Sequence, residues 1–252
     1  MSTEKQIKIG VIPAGGKGTR LGFLSALLPK TLCPLYDRPI LHYVINQMEN
    51  LGIEDIYVIV HARKEAVFQY IKMIEIDLKA RIHFIEQPTL DGTANAIALA
   101  EKYTKDQPFM VIYGDDCTVA KSLDPMVGLF FEKNPVVVEG AVQESEVKIL
   151  QQTCSLNLED DGRMIEIIEK PEHPPYHVRG CGVYLFSPKI YDYIRKTPVH
   201  PVRLEKEITY TINSAAKDGE AYAFTIEGSN VNINDYNELL KASLLVKAQS
   251  HH

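Results

Sequence analysis

The chain predicts an α/β fold: a mainly parallel, twisted sheet with helices on both faces, carrying a smaller antiparallel lobe. Three observations lead there. Strand-like and helix-like segments alternate through the first half, the order that parallel sheets require. The run at 109–113 is continuously apolar, as in a strand covered on both faces. The second half instead carries a hairpin signal, Asp160-Asp161-Gly162-Arg163, between strand-like runs at 155–158 and 164–169.

Taken in order, residues 7–12 form the first predicted strand. Residues 39–51 read as a helix, with Pro39 in its first turn and Gly52 as its stop. A strand at 56–60, a helix at 64–76, a strand at 82–86, an Ala-rich helix at 93–103 and the strand at 109–113 follow. Ligands of such sheets lie outside the carboxyl ends of the strands. The segments 14–20, 87–93 and 114–116 each follow a predicted strand, so they share one rim. After the hairpin come a strand at 183–186, a helix at 204–217, a short strand at 223–226 and a last helix over about 235–248. No internal repeat or Pro/Ser-rich linker interrupts this order, and residues 171–176, with Pro174-Pro175, are the main loop candidate. A single domain over 1–248 is expected, with halves at about 1–135 and 136–248; His251-His252 is read as a tag remnant and set aside.

Composition narrows the function. The 252 residues are 45% hydrophobic and 24% charged, ordinary for a globular protein with a substantial core. A formal charge of −6 argues against nucleic-acid or anionic-membrane partners, so a polyanionic ligand would need local positive charge. The four cysteines, Cys33, Cys117, Cys154 and Cys181, are widely spaced and read as reduced thiols of a cytoplasmic protein. No apolar run approaches ~20 residues, so neither a leader nor a membrane span is expected.

The most informative stretch is Ala14-Gly15-Gly16-Lys17-Gly18-Thr19-Arg20-Leu21, followed by Pro29-Lys30. Three glycines in four positions turn the backbone tightly and direct several N–H groups at one spot, where an anion can sit. Arg20 and Lys30 add two fixed charges, which suits a nucleoside triphosphate. The dinucleotide fingerprint fails because Leu21 stands where its third glycine belongs. The P-loop pattern fails because no glycine precedes Lys30-Thr31.

With Pro29-Lys30-Thr31-Leu32-Cys33-Pro34-Leu35, this stretch resembles the signature of the sugar-phosphate nucleotidylyltransferases, nearest to the glucose-1-phosphate thymidylyl- and uridylyltransferases. Gln87-Pro88-Thr89-Leu90-Asp91-Gly92-Thr93-Ala94 resembles the family's base-binding segment and Gly114-Asp115-Asp116 its metal-binding strand end. Glu169-Lys170-Pro171 and Gly180-Cys181-Gly182-Val183-Tyr184 resemble its sugar-side segments, so the likeness spans residues 7 to about 242.

The resemblance implies a Rossmann-like nucleotidyltransferase fold with a nucleotide-binding half, a sugar-binding half and a magnesium cofactor. Its substrates would be a nucleoside triphosphate, UTP or dTTP ahead of others, and a sugar-1-phosphate; a homo-oligomer stays open. It implies Arg20, Lys30 and Asp115 as the catalytic set. Ala14, Gly15, Gly16, Gly18, Thr19, Arg20, Gln87, Gly92 and Thr93 would hold the nucleotide, and Glu169, Lys170 and Gly182 the acceptor. Asp115 would bind the metal, with Asn232 as second ligand and Asp235 as its rival; Asp116 could add an outer contact. The stretch 144–153 lacks the Tyr-Gly segment usual in the family, which leaves the acceptor open. Two alternatives follow: a cytidylyltransferase acting on phosphocholine, a phosphonate or a sugar alcohol phosphate, and a non-catalytic nucleotide-sugar-binding regulatory subunit.

Overall fold

A computed structural model describes residues 6–62 and 64–249; the first five residues and the His251-His252 pair lie outside the described residues. In chain order the first half holds β1 (Ile9–Pro13), α1 (Phe23–Leu27), β2 (Pro34–Leu35), β3 (Arg38–Pro39), α2 (Ile40–Asn50), β4 (Asp55–Val60), α3 (Lys64–Ile74), β5 (Arg81–Glu86), α4 (Thr93–Ala98), α5 (Glu101–Thr104), β6 (Phe109–Ile112), β7 (Asp116–Ala120) and α6 (Asp124–Lys133). The second half holds β8 (Val137–Gln143), α7 (Val147–Gln152), β9 (Cys154–Leu158), β10 (Met164–Glu169), β11 (Val178–Phe186), α8 (Ile190–Lys196), α9 (Ile208–Lys217), β12 (Ala221–Thr225), β13 (Gly228–Asn232) and α10 (Tyr236–Gln249).

Seven strands form one sheet in the order β12-β8-β11-β6-β1-β4-β5. All run parallel except β11, which is antiparallel to both β6 and β8. The apolar runs explain the layering. In β1 and β6, Val11, Phe109 and Val111 face one hydrophobic cluster, while Ile12, Met110 and Ile112 face the other. Period-two alternation with both faces apolar forces helices onto both sides. No helix among the described residues is long and apolar enough to cross a membrane.

The α/β reading holds, and several elements differ from their expected form. The second half contributes β8, β11 and β12 to the main sheet, so the separate antiparallel pairs are the β9–β10 hairpin, a β7–β13 ribbon and the short β2–β3 pair. β7, α6 and β8 were not expected: Glu139 and Gly140 break the apolar run of β8. The 204–217 helix begins only at Ile208, because Leu204 is left-handed and Glu207 extended. The Ile208 N–H is met by Thr93 Oγ1 at 2.9 Å, a cap from a distant segment that no local pattern announces. The 93–103 helix divides into α4 and α5.

Candidate active site

The three rim segments converge as the strand-end rule requires. Backbone bonds from Ala14 N to Ile59 O (2.8 Å), Gly114 N to Pro13 O (3.0 Å) and Gln87 N to Val60 O (2.8 Å) tie each loop to the end of a neighbouring strand. Gly18 turns through φ 63°, and Thr19–Leu21 closes as a 3₁₀ turn anchored by the fully buried Leu21. These loops bound a cleft of about 540 Å3. Gly15, Gly16, Gly18, Thr19, Arg20, Lys30, Gln87, Gly92, Thr93, Asp115, Glu169, Lys170, Gly182 and Asn232 all line it. Ala14 is buried behind the loop and forms no part of that wall.

At the centre, Lys30 Nζ lies 2.5 Å from Asp115 Oδ2 and 3.1 Å from Asn234 Oδ1. Arg20 Nη2 donates to the same Asn234 oxygen at 2.8 Å, and Asn234 Nδ2 donates to Asn232 Oδ1. The β7–β13 ribbon creates this meeting: Asn232 pairs with Asp116, and Ile233 N donates to Asp115 O at 3.0 Å. Two cations thus share one neutral amide oxygen, an arrangement that an anionic oxygen would satisfy better. Asn234 is a site residue that the sequence reading missed, since only the register of two remote strands reveals it.

The neighbouring carboxylates separate by environment. Asp116 is buried, accepting from Asn230 Nδ2 (2.6 Å), Thr118 Oγ1 (2.7 Å) and Gly182 N (3.2 Å). Burial, then the charge of Asp115, raises its pKa, and its bonds lock β7, β13 and β11 together. Asp235 serves a helix instead. Its Oδ1 accepts from Glu238 N and Glu238 Oε2 accepts from Asp235 N, both at 3.0 Å, a capping box opening α10. Of the two candidates for a second metal ligand, only Asn232 lines the cleft.

The group implied at this place is a magnesium ion, and the donor set fits it. Asp115 offers a carboxylate just before β7 and Asn232 an amide oxygen at the end of β13, both hard donors. Among the described residues no cluster of three or more His, Cys, Asp or Glu side chains could hold a metal unaided. Magnesium ordinarily takes one or two protein carboxylates and completes its shell with phosphate and water, and the sparse donor set here matches that habit.

One end of the cleft is built on Gln87, Gly92 and Thr93. Gln87 is buried, and its Nε2 reaches Asp91 Oδ1 at 3.3 Å. Gly92 adopts φ 111°, and a Cβ there would lie 2.2 Å from the Lys206 carbonyl oxygen, so no other residue fits. The Thr93 hydroxyl bonds Glu207 Oε2 (3.0 Å) and the Ile208 N–H, joining this loop to α9. Gly92→Ala is therefore expected to destabilise the protein by about 1–3 kcal/mol, the scale of overpacking, and to weaken triphosphate binding. Thermal unfolding with calorimetric titration checks it; a wild-type unfolding temperature would refute the crossing as the reason for this glycine.

At the opposite end, Glu169 Oε2 accepts from Thr209 Oγ1 (2.8 Å) and Oε1 pairs with Lys170 Nζ (2.9 Å). Lys170 is left-handed at φ 46° and 46% exposed, with its ammonium available at the cleft edge. Gly182 forms the floor, where a Cβ would press on Tyr113 at 2.9 Å. Tyr113, Glu139 and Arg179 also line this end and were not anticipated. A lone acid inside an apolar run was the available signal for Glu139.

A family model described as nucleotidyl transferase matches residues 9–246. The chain belongs to the nucleotidyl transferase family. It is 32% identical over 221 residues to the bifunctional protein GlmU of Methanocaldococcus jannaschii, covering 86% of this chain and 49% of that protein. It is 26% identical to the UTP–glucose-1-phosphate uridylyltransferase of Staphylococcus haemolyticus, over 95% of this chain and 92% of that protein. The chain thus spans about half of the first relative and nearly all of the second. A solved UDP-glucose pyrophosphorylase bound to UDP-glucose superposes with TM-score 0.87 at 22% identity, covering 97% of this chain and 100% of that one, which supports the nucleotidyltransferase fold.

Proposed function

We propose that this nucleotidyltransferase moves a nucleoside monophosphate from UTP or dTTP to a sugar-1-phosphate, yielding a nucleotide-sugar and pyrophosphate. The observation that carries the reading is the convergence of Arg20 and Lys30 on one point beside Asp115 and Asn232, at the rim formed by the glycine loop. The relatives support the acceptor class, since a uridylyltransferase of glucose-1-phosphate matches almost end to end.

An acceptor phosphate oxygen attacks the α-phosphorus; the bond to the β-phosphate breaks and pyrophosphate departs. Two anions must approach, so the protein's task is positioning and charge neutralisation. The glycine-loop N–H groups and the Arg20 guanidinium hold the triphosphate. Lys30, almost fully buried, keeps its ammonium where the two phosphates meet, and Lys170 steadies the acceptor phosphate from the other side. Asp115 and Asn232 would hold magnesium, which supplies further charge neutralisation when bound. The Gln87 amide can donate and accept together, as a uracil-like edge requires, with the Gly92 backbone beside it.

Assays of pyrophosphate release with UTP, dTTP, CTP, ATP and GTP test the base reading. UTP or dTTP should exceed the purine triphosphates by about tenfold or more in kcat/KM, the worth of one well-read polar edge. A purine preference would overturn the base site, and a CTP preference would favour the cytidylyltransferase alternative.

A further inference from the structure

The inner wall of the acceptor end holds a carboxyl group that the proposed transfer does not use. Glu139 lies within β8, in register with Tyr184 of β11 and Ala223 of β12. It is only 1% exposed yet lines the cleft, and its Oε2 has no hydrogen-bond partner among the described residues. The position is built for it. A Cβ on Gly180 would fall 1.8 Å from Glu139 Oε1, so the adjoining strand gives up a side chain to seat this carboxyl group.

The positive charges nearby are committed to other groups: Arg203 lies 3.8 Å from Glu169 Oε1 and 3.7 Å from Glu207 Oε1. The Tyr184 hydroxyl reaches the carboxyl, but burial and then the nearby Glu169 charge push the Glu139 pKa well above the usual carboxylate range. Arg179 is committed elsewhere, donating from Nη1 and Nη2 to Asn230 Oδ1 and O at 2.7 Å and pairing with Glu144 at 3.4 Å. Lys170 pairs with Glu169 at the cleft edge. Glu207, also nearly buried, sits next to Thr93 and Tyr113 and shares the Arg203 charge with Glu169. A neutral hydroxyl would be read equally well by glutamine, without the burden of an ionisable group in the wall. A buried carboxylate gains specifically when a positive charge comes within hydrogen-bond reach.

We infer that the acceptor is a phosphate carrying a cationic amine, and that Glu139, flanked by Glu169, is the residue that selects it. This rests on the nucleotidyl-transfer reading and narrows its acceptor. Lys170 would take the phosphate at the cleft edge, with the amine directed to the inner wall. An amino sugar-1-phosphate and an aminoalkyl phosphate share that chemistry.

The test sets glucosamine-1-phosphate, phosphoethanolamine and phosphocholine against glucose-1-phosphate and N-acetylglucosamine-1-phosphate. Pyrophosphate release is measured with UTP, dTTP and CTP, and acceptor binding by calorimetry. A primary-amine acceptor, glucosamine-1-phosphate or phosphoethanolamine, should exceed every neutral one by about tenfold or more, the scale of a hydrogen bond to a charged group; phosphocholine, which has no N–H, offers Glu139 its charge alone. Glucosamine-1-phosphate in the lead marks an amino sugar, and either of the other two marks an aminoalkyl phosphate. Glu139→Gln should lower the aminated-to-neutral ratio by about tenfold, with circular dichroism verifying the fold. If that variant does not fold, the wild-type ratios in turnover and binding decide alone. A neutral acceptor that binds and reacts as well as the aminated ones overturns the inference, as does an unchanged ratio in Glu139→Gln. Turnover with neutral acceptors only would remove the amine and keep the transferase. Tight binding of an aminated acceptor without pyrophosphate release from any pair would do the reverse.

Discussion

Asp115→Asn is expected to lower kcat by roughly a hundredfold or more, the scale of losing one preorganised electrostatic group. Asp115 is the carboxylate that emerges from the β6 end into the cleft, while its neighbour Asp116 turns inward and is used up by Asn230, Thr118 and Gly182. Asn232 supplies only a neutral oxygen, so Asp115 carries the whole negative charge of this donor pair. Asparagine preserves the shape and leaves an oxygen facing Lys30 Nζ, and the side chain sits partly exposed at the rim. The variant should therefore fold with an unfolding temperature close to wild type. Calorimetric titration of magnesium and of manganese should show weaker binding independent of turnover. Near-normal kcat at saturating magnesium would remove Asp115 from the mechanism, whatever the titrations show.

How much of this centre the sequence discloses depends on how local each contact is. Arg20 and Lys30 are legible because one glycine turn and one following segment carry them. Gln87 and Asp115 are legible because Gln87 directly follows β5 and Asp115 comes two residues beyond the apolar run at 109–113, strands of a parallel sheet whose carboxyl ends share a rim. Asn234 is not legible: it gains meaning only because the β7–β13 register lays it beside Lys30 and Arg20, over two hundred residues away. Gly92 was expected in the site, but its packing reason, the backbone of Lys206, is equally hidden from the sequence. In the fold, the α9 start was misplaced because its cap is Thr93, and β8 was hidden because Glu139 breaks its apolar run. Residues that contradict a local pattern here stand in or beside the cleft, where positions selected for a ligand depart from patterns selected for packing.

Lys30→Ala should lower kcat by roughly a hundredfold, more than it raises either Michaelis constant, because in the proposed transfer its ammonium acts on charge that develops where the phosphates meet. Its setting supports that role. Lys30 is 6% exposed and held between Asp115 Oδ2 and Asn234 Oδ1, so it loses little freedom when the substrates arrive. Lys170 is 46% exposed and its ammonium pairs with Glu169, a setting that suits a group proposed to capture a ligand at the cleft edge. Lys170→Ala should thus chiefly raise the Michaelis constant for the acceptor phosphate, by about tenfold or more, the range of a hydrogen bond to a charged group. Two-substrate kinetics on both variants, with triphosphate binding measured separately by calorimetry, tests the division. If Lys170→Ala weakens triphosphate binding as much as acceptor binding, Lys170 serves the nucleotide instead. The acceptor phosphate would then have to sit deeper in the cleft, toward Arg179 and Gly180.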